Sequence, residues 1–243
     1  MEMGASLEKS DILEESHEET QLHSLLQQHS LSRSVRDTVR WGQNDKFSVK
    51  SLYTKAVTQM ENDGSVDRLI CSVWQKLAPP KVELMVWLAL LGKLNTRDRL
   101  VKEKMIPAEL NYCTFCNSHN EGIDHVLLSC PVFWSIWKSI AEELGVQLAN
   151  EDNLRNFYTY WINRRFSNKT RWKLWVTSFF STLWSLWMQR NGIIFKQQML
   201  DMQSLCRIIK WRVATWSRAW EVKIPYSAEL LVQNFQAIPM LFH

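Results

Sequence analysis

Cys113, Cys116, His125 and Cys130 are spaced C-x2-C-x8-H-x4-C, three thiols and one imidazole between residues 113 and 130. Thiolates and neutral imidazole suit the borderline softness of zinc, and four such ligands close its tetrahedron. A closed set keeps no position for a reactive water. The chemistry implied is therefore one structural Zn2+ that staples the chain, not hydrolysis. With three thiolates on a divalent ion the site is net negative, so an anionic partner would have to be met by Lys and Arg elsewhere. Other readings of the same residues stay open at this point. Cys113-x-x-Cys116 could be a redox pair, although no βαβ pattern surrounds it. The thiols could be small core residues. His119 could replace His125, for which the loop Asn117–Asn120 is tight. Cys71 and Cys206 fall on helical apolar faces and read as core.

The spacing constrains what must position these ligands. On a continuous α-helix His125 and Cys130 would lie about 140° apart around the axis, too far to face one ion. A break is expected between them, with Pro131 pushing Cys130 out of the helical region. Cys130 then caps a helix over 131–144, and its thiolate meets the free amides at the positive end of that helix. Upstream, Phe47–Tyr53 reads as an extended entry running into a helix, with Ser48 or Ser51 as cap. Ser65 is placed to cap a helix carrying Leu69, Ile70, Val73, Trp74 and Leu77, stopped by Pro79-Pro80. Pro80 can open a strongly apolar helix over Lys81–Leu91, ended by Gly92. Thr96 opens a short charged one. Downstream, helices are expected over about Leu154–Ile162, Thr170–Arg190 and Met199–Trp220.

With only seven glycines and six prolines in 243 residues, a turn-rich β-sandwich is disfavoured. The expected fold is all-α: an irregular helical domain with a small structural zinc knuckle, followed by a Trp-rich helical region. The boundaries drawn are a disordered acidic tail over 1–36, a zinc-binding domain over 37–147, a basic Trp-rich helical region over 148–225, and a C-terminal tail over 226–243. The tail at the N-terminus follows from seven acids against Lys9 in residues 1–30. No apolar h-region follows the N-terminus, so an intracellular, reducing compartment, nucleus or cytoplasm, is expected. Leu174–Met188 is too short and too rich in Ser and Thr for a span, which needs roughly 20 apolar residues. No membrane partner is expected.

Several separated motifs occur in a recognisable order. They are Asp37-x3-Trp41, Asp45–Tyr53, Trp74, Pro79-Pro80-Lys81-Val82 with Trp87, Gly92–Leu100, the cysteine cluster, and Trp137. Together they resemble the reverse-transcriptase zinc-binding domain of plant LINE-type (non-LTR) retrotransposons. Trp184–Phe195 is similar to the tryptophan-rich stretch that follows that domain. The resemblance covers roughly residues 37–220 and implies zinc on Cys113, Cys116, His125 and Cys130. In that family the domain follows a polymerase and often precedes a ribonuclease H. Here there is no Tyr-x-Asp-Asp motif, and residues 155–223 hold only Asp201 and Glu221 as acids. No carboxylate set for two-metal nuclease chemistry is visible. The expectation is a fragment of such a polyprotein, not an enzyme and without a small-molecule substrate.

The same 155–223 segment carries thirteen Lys and Arg, which points to a polyanionic partner, RNA or DNA. Two candidate surfaces emerge. Arg164, Arg165, Lys169, Arg171 and Lys173 surround the entry to the long helix, where cations oppose the helix dipole. On a wheel of 199–220, Met202, Leu205, Ile208, Ile209, Val213, Trp216 and Trp220 form a core side, and Arg207, Lys210, Trp211 and Arg218 an outer side suited to phosphates and a stacked base. The plainer reading of both is a solvated surface. The alternative function is a structural or protein-interaction module that uses zinc only for its fold and captures a protein through its Trp-rich helices.

Overall fold

The computed structural model describes residues 67–221 and 223–242. The expected acidic tail and the elements over 47–53 lie outside the described residues. Helix α1 is Arg68–Cys71, one turn only, and its N-cap is Asp67, whose carboxylate accepts from the amides of Leu69 and Ile70. The helix expected from Ser65 to Pro79 is therefore not continuous. Lys76 takes a left-handed backbone at φ 57°, and Trp74 is exposed.

Helix α2, Pro80–Leu90, starts at proline as expected. Gly92 ends the turn at φ 67°, where only glycine escapes a Cβ penalty. Helix α3, Arg97–Lys102, is capped by the Thr96 side chain on the Arg99 amide. Helix α4, Pro131–Glu143, is followed by Gly145 at φ 73°. Helix α5, Leu154–Asn163, is capped by Asn153. The 28-residue α6, Lys169–Lys196, runs six residues beyond its expected end. Its close at Gln197 (φ 53°) uses no glycine, so the sequence carried no stop signal there. Helix α7, Met202–Ser217, starts at its Asp201 cap. The segment expected as a C-terminal tail holds α8, Ala228–Gln233, and α9, Ile238–Leu241, and it buries Ala228, Leu231, Phe235, Ile238 and Phe242. The described residues contain no strand, and the fold is all-α.

The buried side chains from Ile70 to Phe242 form one continuous core on both sides of residue 147. Its axis is α6. Every residue from Leu174 to Leu186 except Trp184 is buried, and α2, α4, α5 and α7 all pack on this helix. The apolar girth of α6 is thus used inside the molecule. Of the described tryptophans only Trp74 and Trp211 are exposed. Trp161 and Trp175 lock α5 to α6: their rings stack at 3.9 Å, and each indole N–H donates at 2.8 Å to the other residue's carbonyl. Both polar atoms of a buried indole pair are satisfied in one contact. Among the described residues no helix is long and apolar enough to cross a membrane.

Glu83, on the first turn of α2, is 4% exposed and accepts from the Leu77 amide at 3.2 Å. Burial raises its pKa, only partly offset by amides of the 75–78 loop. A carboxyl whose folded pKa is raised contributes most below its unfolded pKa and loses that contribution as pH rises through the folded value. The stability difference between Glu83→Gln and the parent should therefore move in favour of the glutamine variant across that window. Paired urea titrations at stepped pH check this; a difference independent of pH would contradict it.

Candidate metal centre and basic surfaces

The cluster is built from a knuckle and a widened helical turn. In the knuckle, the Asn117 amide donates to the Cys113 carbonyl at 2.9 Å and the Cys113 amide to the His119 carbonyl at 2.7 Å, with Asn117 left-handed at φ 52°. Both thiols then point to one centre. His125–Ser129 is a π-helical turn, closed by the Cys130 amide donating to the His125 carbonyl at 2.8 Å. The backbone does not break between His125 and Cys130, as the spacing had suggested. An i→i+5 bond widens the turn beyond the 3.6 residues of an α-helix, so two residues five apart fall closer to one side than on an α-helix. Cys130 leaves the turn at φ −59°, ψ 124° and stands at the N-cap of α4, as expected.

The four ligand atoms lie within 4.8 Å of one another. Cys113 Sγ is 3.8 Å from Cys130 Sγ, and Cys116 Sγ is 3.3 Å from His125 Nε2. Sulfurs on a tetrahedral zinc, each about 2.3 Å from the metal, stand ~3.8 Å apart. The donor set and its edges therefore fit a Zn2+ ion. His119 is not in the group: its Nδ1 lies 3.9 Å from Cys116 Sγ, and its ring stacks over His125 at 4.9 Å. The protons are shared unequally between the two buried thiols. The Cys113 thiol donates to Cys130, which lowers the Cys130 pKa and pushes Cys113 up; amides of Val132 and Phe133 add to the lowering at Cys130. Burial, then neighbouring His119, lowers the His125 pKa, which favours the neutral imidazole that ligates a metal.

Residues 47–137 match the family described as zinc-binding in reverse transcriptase. No curated protein and no solved structure matches the chain. The matched zinc-binding region takes in all four ligands and ends at Trp137. That residue's buried indole donates at 2.8 Å to the Leu127 carbonyl inside the π-turn. Its last position thus holds the turn that brings His125 and Cys130 together.

One residue pair that shapes this site escaped the sequence reading. Glu121, fully buried beside the knuckle, accepts from Arg190 of α6 at 2.5 Å, from the Arg97 amide at 3.0 Å and from the Thr114 hydroxyl at 2.8 Å. Arg190 is itself buried, and it lies over the Trp187 ring at 5.0 Å. The pair fastens the knuckle to the central helix. The available signal was a lone arginine following the apolar run of α6.

The structure separates the two basic surfaces. At the α5–α6 corner, Arg165 and Lys169 are exposed, and Arg164, Arg171 and Lys173 are half-buried. None of the five forms an ion pair among the described residues. The Arg171 guanidinium lies 4.8 Å from the Phe166 ring centre, and Lys173 Nζ 5.5 Å from that of Trp220. On α7 the outer face is thinner than expected. Lys210 is paired with Glu143 at 2.6 Å, which leaves Arg207, Arg218 and the exposed Trp211. Ile208, expected in the core, is exposed, because the buried stripe of α7 runs through Leu205, Ile209, Val213, Ala214 and Ser217.

Proposed function

We propose that this chain is a non-catalytic zinc-binding module of retrotransposon origin that associates with RNA or DNA through the α5–α6 corner. The observation that carries the zinc reading is the convergence of Cys113, Cys116, His125 and Cys130 within 4.8 Å inside the matched zinc-binding region. These four residues hold one Zn2+, which when bound supplies fold stability and no open coordination position. The nucleic-acid reading is supported by five cations around the start of one long helix, none of them paired with a carboxylate among the described residues. Cations there oppose the helix dipole, and a phosphate backbone offsets both that field and their mutual repulsion. Lys173 over Trp220 brings the start of α6 beside the chain that follows α7.

Fluorescence anisotropy of a labelled single-stranded 30-mer tests this over a salt series. Binding should weaken steeply with salt and show little sequence preference. Arg165→Gln with Lys169→Gln, both exposed, should reduce the logarithmic salt slope by about 1.4, at ~0.7 per phosphate contact on single strands. No binding at low salt, or a slope unchanged by the double substitution, would overturn the reading.

A further inference from the structure

The turn between α6 and α7 encloses a cleft of about 490 Å³, remote in character from the basic corner. On its wall lies Arg212. This guanidinium is half-buried, and burial alone accounts for its lowered pKa, with no acid contributing. Among the described residues it makes one side-chain hydrogen bond, to the Ser185 hydroxyl, and that hydroxyl in turn donates to the Ser181 carbonyl. Among the described residues no carboxylate pairs with it. The two other charges lining the cleft are Lys196 and Asp201, and Asp201 is spent capping α7 through Ser204. Arginine carries five donors in a planar fork, so among the described residues most of this one's capacity is unspent.

Around the cation the cleft is apolar and exposed. Met188 is 41% exposed, Phe195 74%, Met199 91% and Ile208 44%. Such a density of exposed Met and Phe around a groove marks a surface that packs against apolar side chains. The polar side chains of the cleft are largely occupied. Gln189 donates to the Met199 carbonyl, and Asn191 accepts from Arg190. Gln198 sits so close to Gly192 that a Cβ there would lie 1.9 Å from its Oε1. Little remains to read a base edge, and two cations are few for a phosphate backbone.

We propose that the α6–α7 cleft is a docking site for a peptide segment that presents one carboxylate between apolar side chains. The carboxylate takes the free fork of Arg212, the contact for which arginine geometry is best matched. The flanking apolar groups cover Phe195, Met199, Met188 and Ile208. This site is independent of the nucleic-acid surface and stands or falls separately from it.

The test pans a random dodecapeptide phage library on the full chain and measures the selected peptides by anisotropy. The expected result is a consensus with Asp or Glu flanked by apolar residues. Affinity should fall at least tenfold in Arg212→Gln and in Phe195→Ser, the latter at a position too exposed to affect folding. Replacing the acid in the peptide by its amide should cost as much as Arg212→Gln. No consensus, or peptides indifferent to both substitutions, would overturn the proposal. So would single-stranded RNA competing for the cleft, or self-association of the chain abolished by Phe195→Ser; either would assign the site to a different occupant.

Discussion

Cys130→Ser should release the zinc and unfold the core around the knuckle. Structural zinc contributes about 10–16 kcal/mol of apparent binding energy in small zinc domains, against a total stability of about 5–15 kcal/mol for a typical domain. Losing one of four ligands forfeits much of that. The substitution isolates the metal's contribution, because serine is a better N-cap than cysteine and α4 keeps its start. Thermal melting is the readout. The serine variant and the parent held in excess chelator should melt at the same lowered temperature, and the variant should gain nothing from added zinc. A variant that melts like the untreated parent would show that the thiol is only a core side chain.

The second large effect concerns the strut between knuckle and central helix. Arg190→Ala should cost about 3–5 kcal/mol, because it leaves the Glu121 carboxylate buried without its cation. For a chain of this size that corresponds to a melting shift on the order of 10 °C. Glu121→Gln with Arg190→Met should cost less than Arg190→Ala alone, since neither buried charge remains. Denaturant titrations of the three variants give the comparison. A double variant worse than the arginine deletion would mean that the pair stabilises in its own right. The zinc content of Arg190→Ala should stay unchanged at room temperature, since Glu121 keeps the Arg97 amide and the Thr114 hydroxyl.

The parts of the fold legible in the sequence were those with local punctuation. Pro80, Gly92, Thr96 and Pro131 each mark an element end by local chemistry alone, and the structure has those ends where they are expected. The ligand set was legible because thiols and imidazole at short spacing leave few other uses. The π-turn was not, since no residue preference announces an i→i+5 bond; the stable turn follows from the four ligands and from Trp137 on the Leu127 carbonyl. The cap is Asp67 where Ser65 was expected, and the apolar pattern through Leu77 implied a longer helix than the single turn that forms. On α7 the wheel misassigned Ile208 and overcounted the free cations, because it could not show Glu143 of α4 reaching Lys210. Glu121 and Arg190 stand 69 residues apart, a pairing that only the packed core reveals.

The central claim is that Cys113, Cys116, His125 and Cys130 hold one zinc. Elemental analysis of the purified chain combined with thiol titration tests it most directly. The account predicts one zinc per chain and two reactive thiols, the exposed Cys71 and the half-buried Cys206, with the other three released only by chelator or denaturant. A chain without zinc in which all five thiols react at once would contradict it.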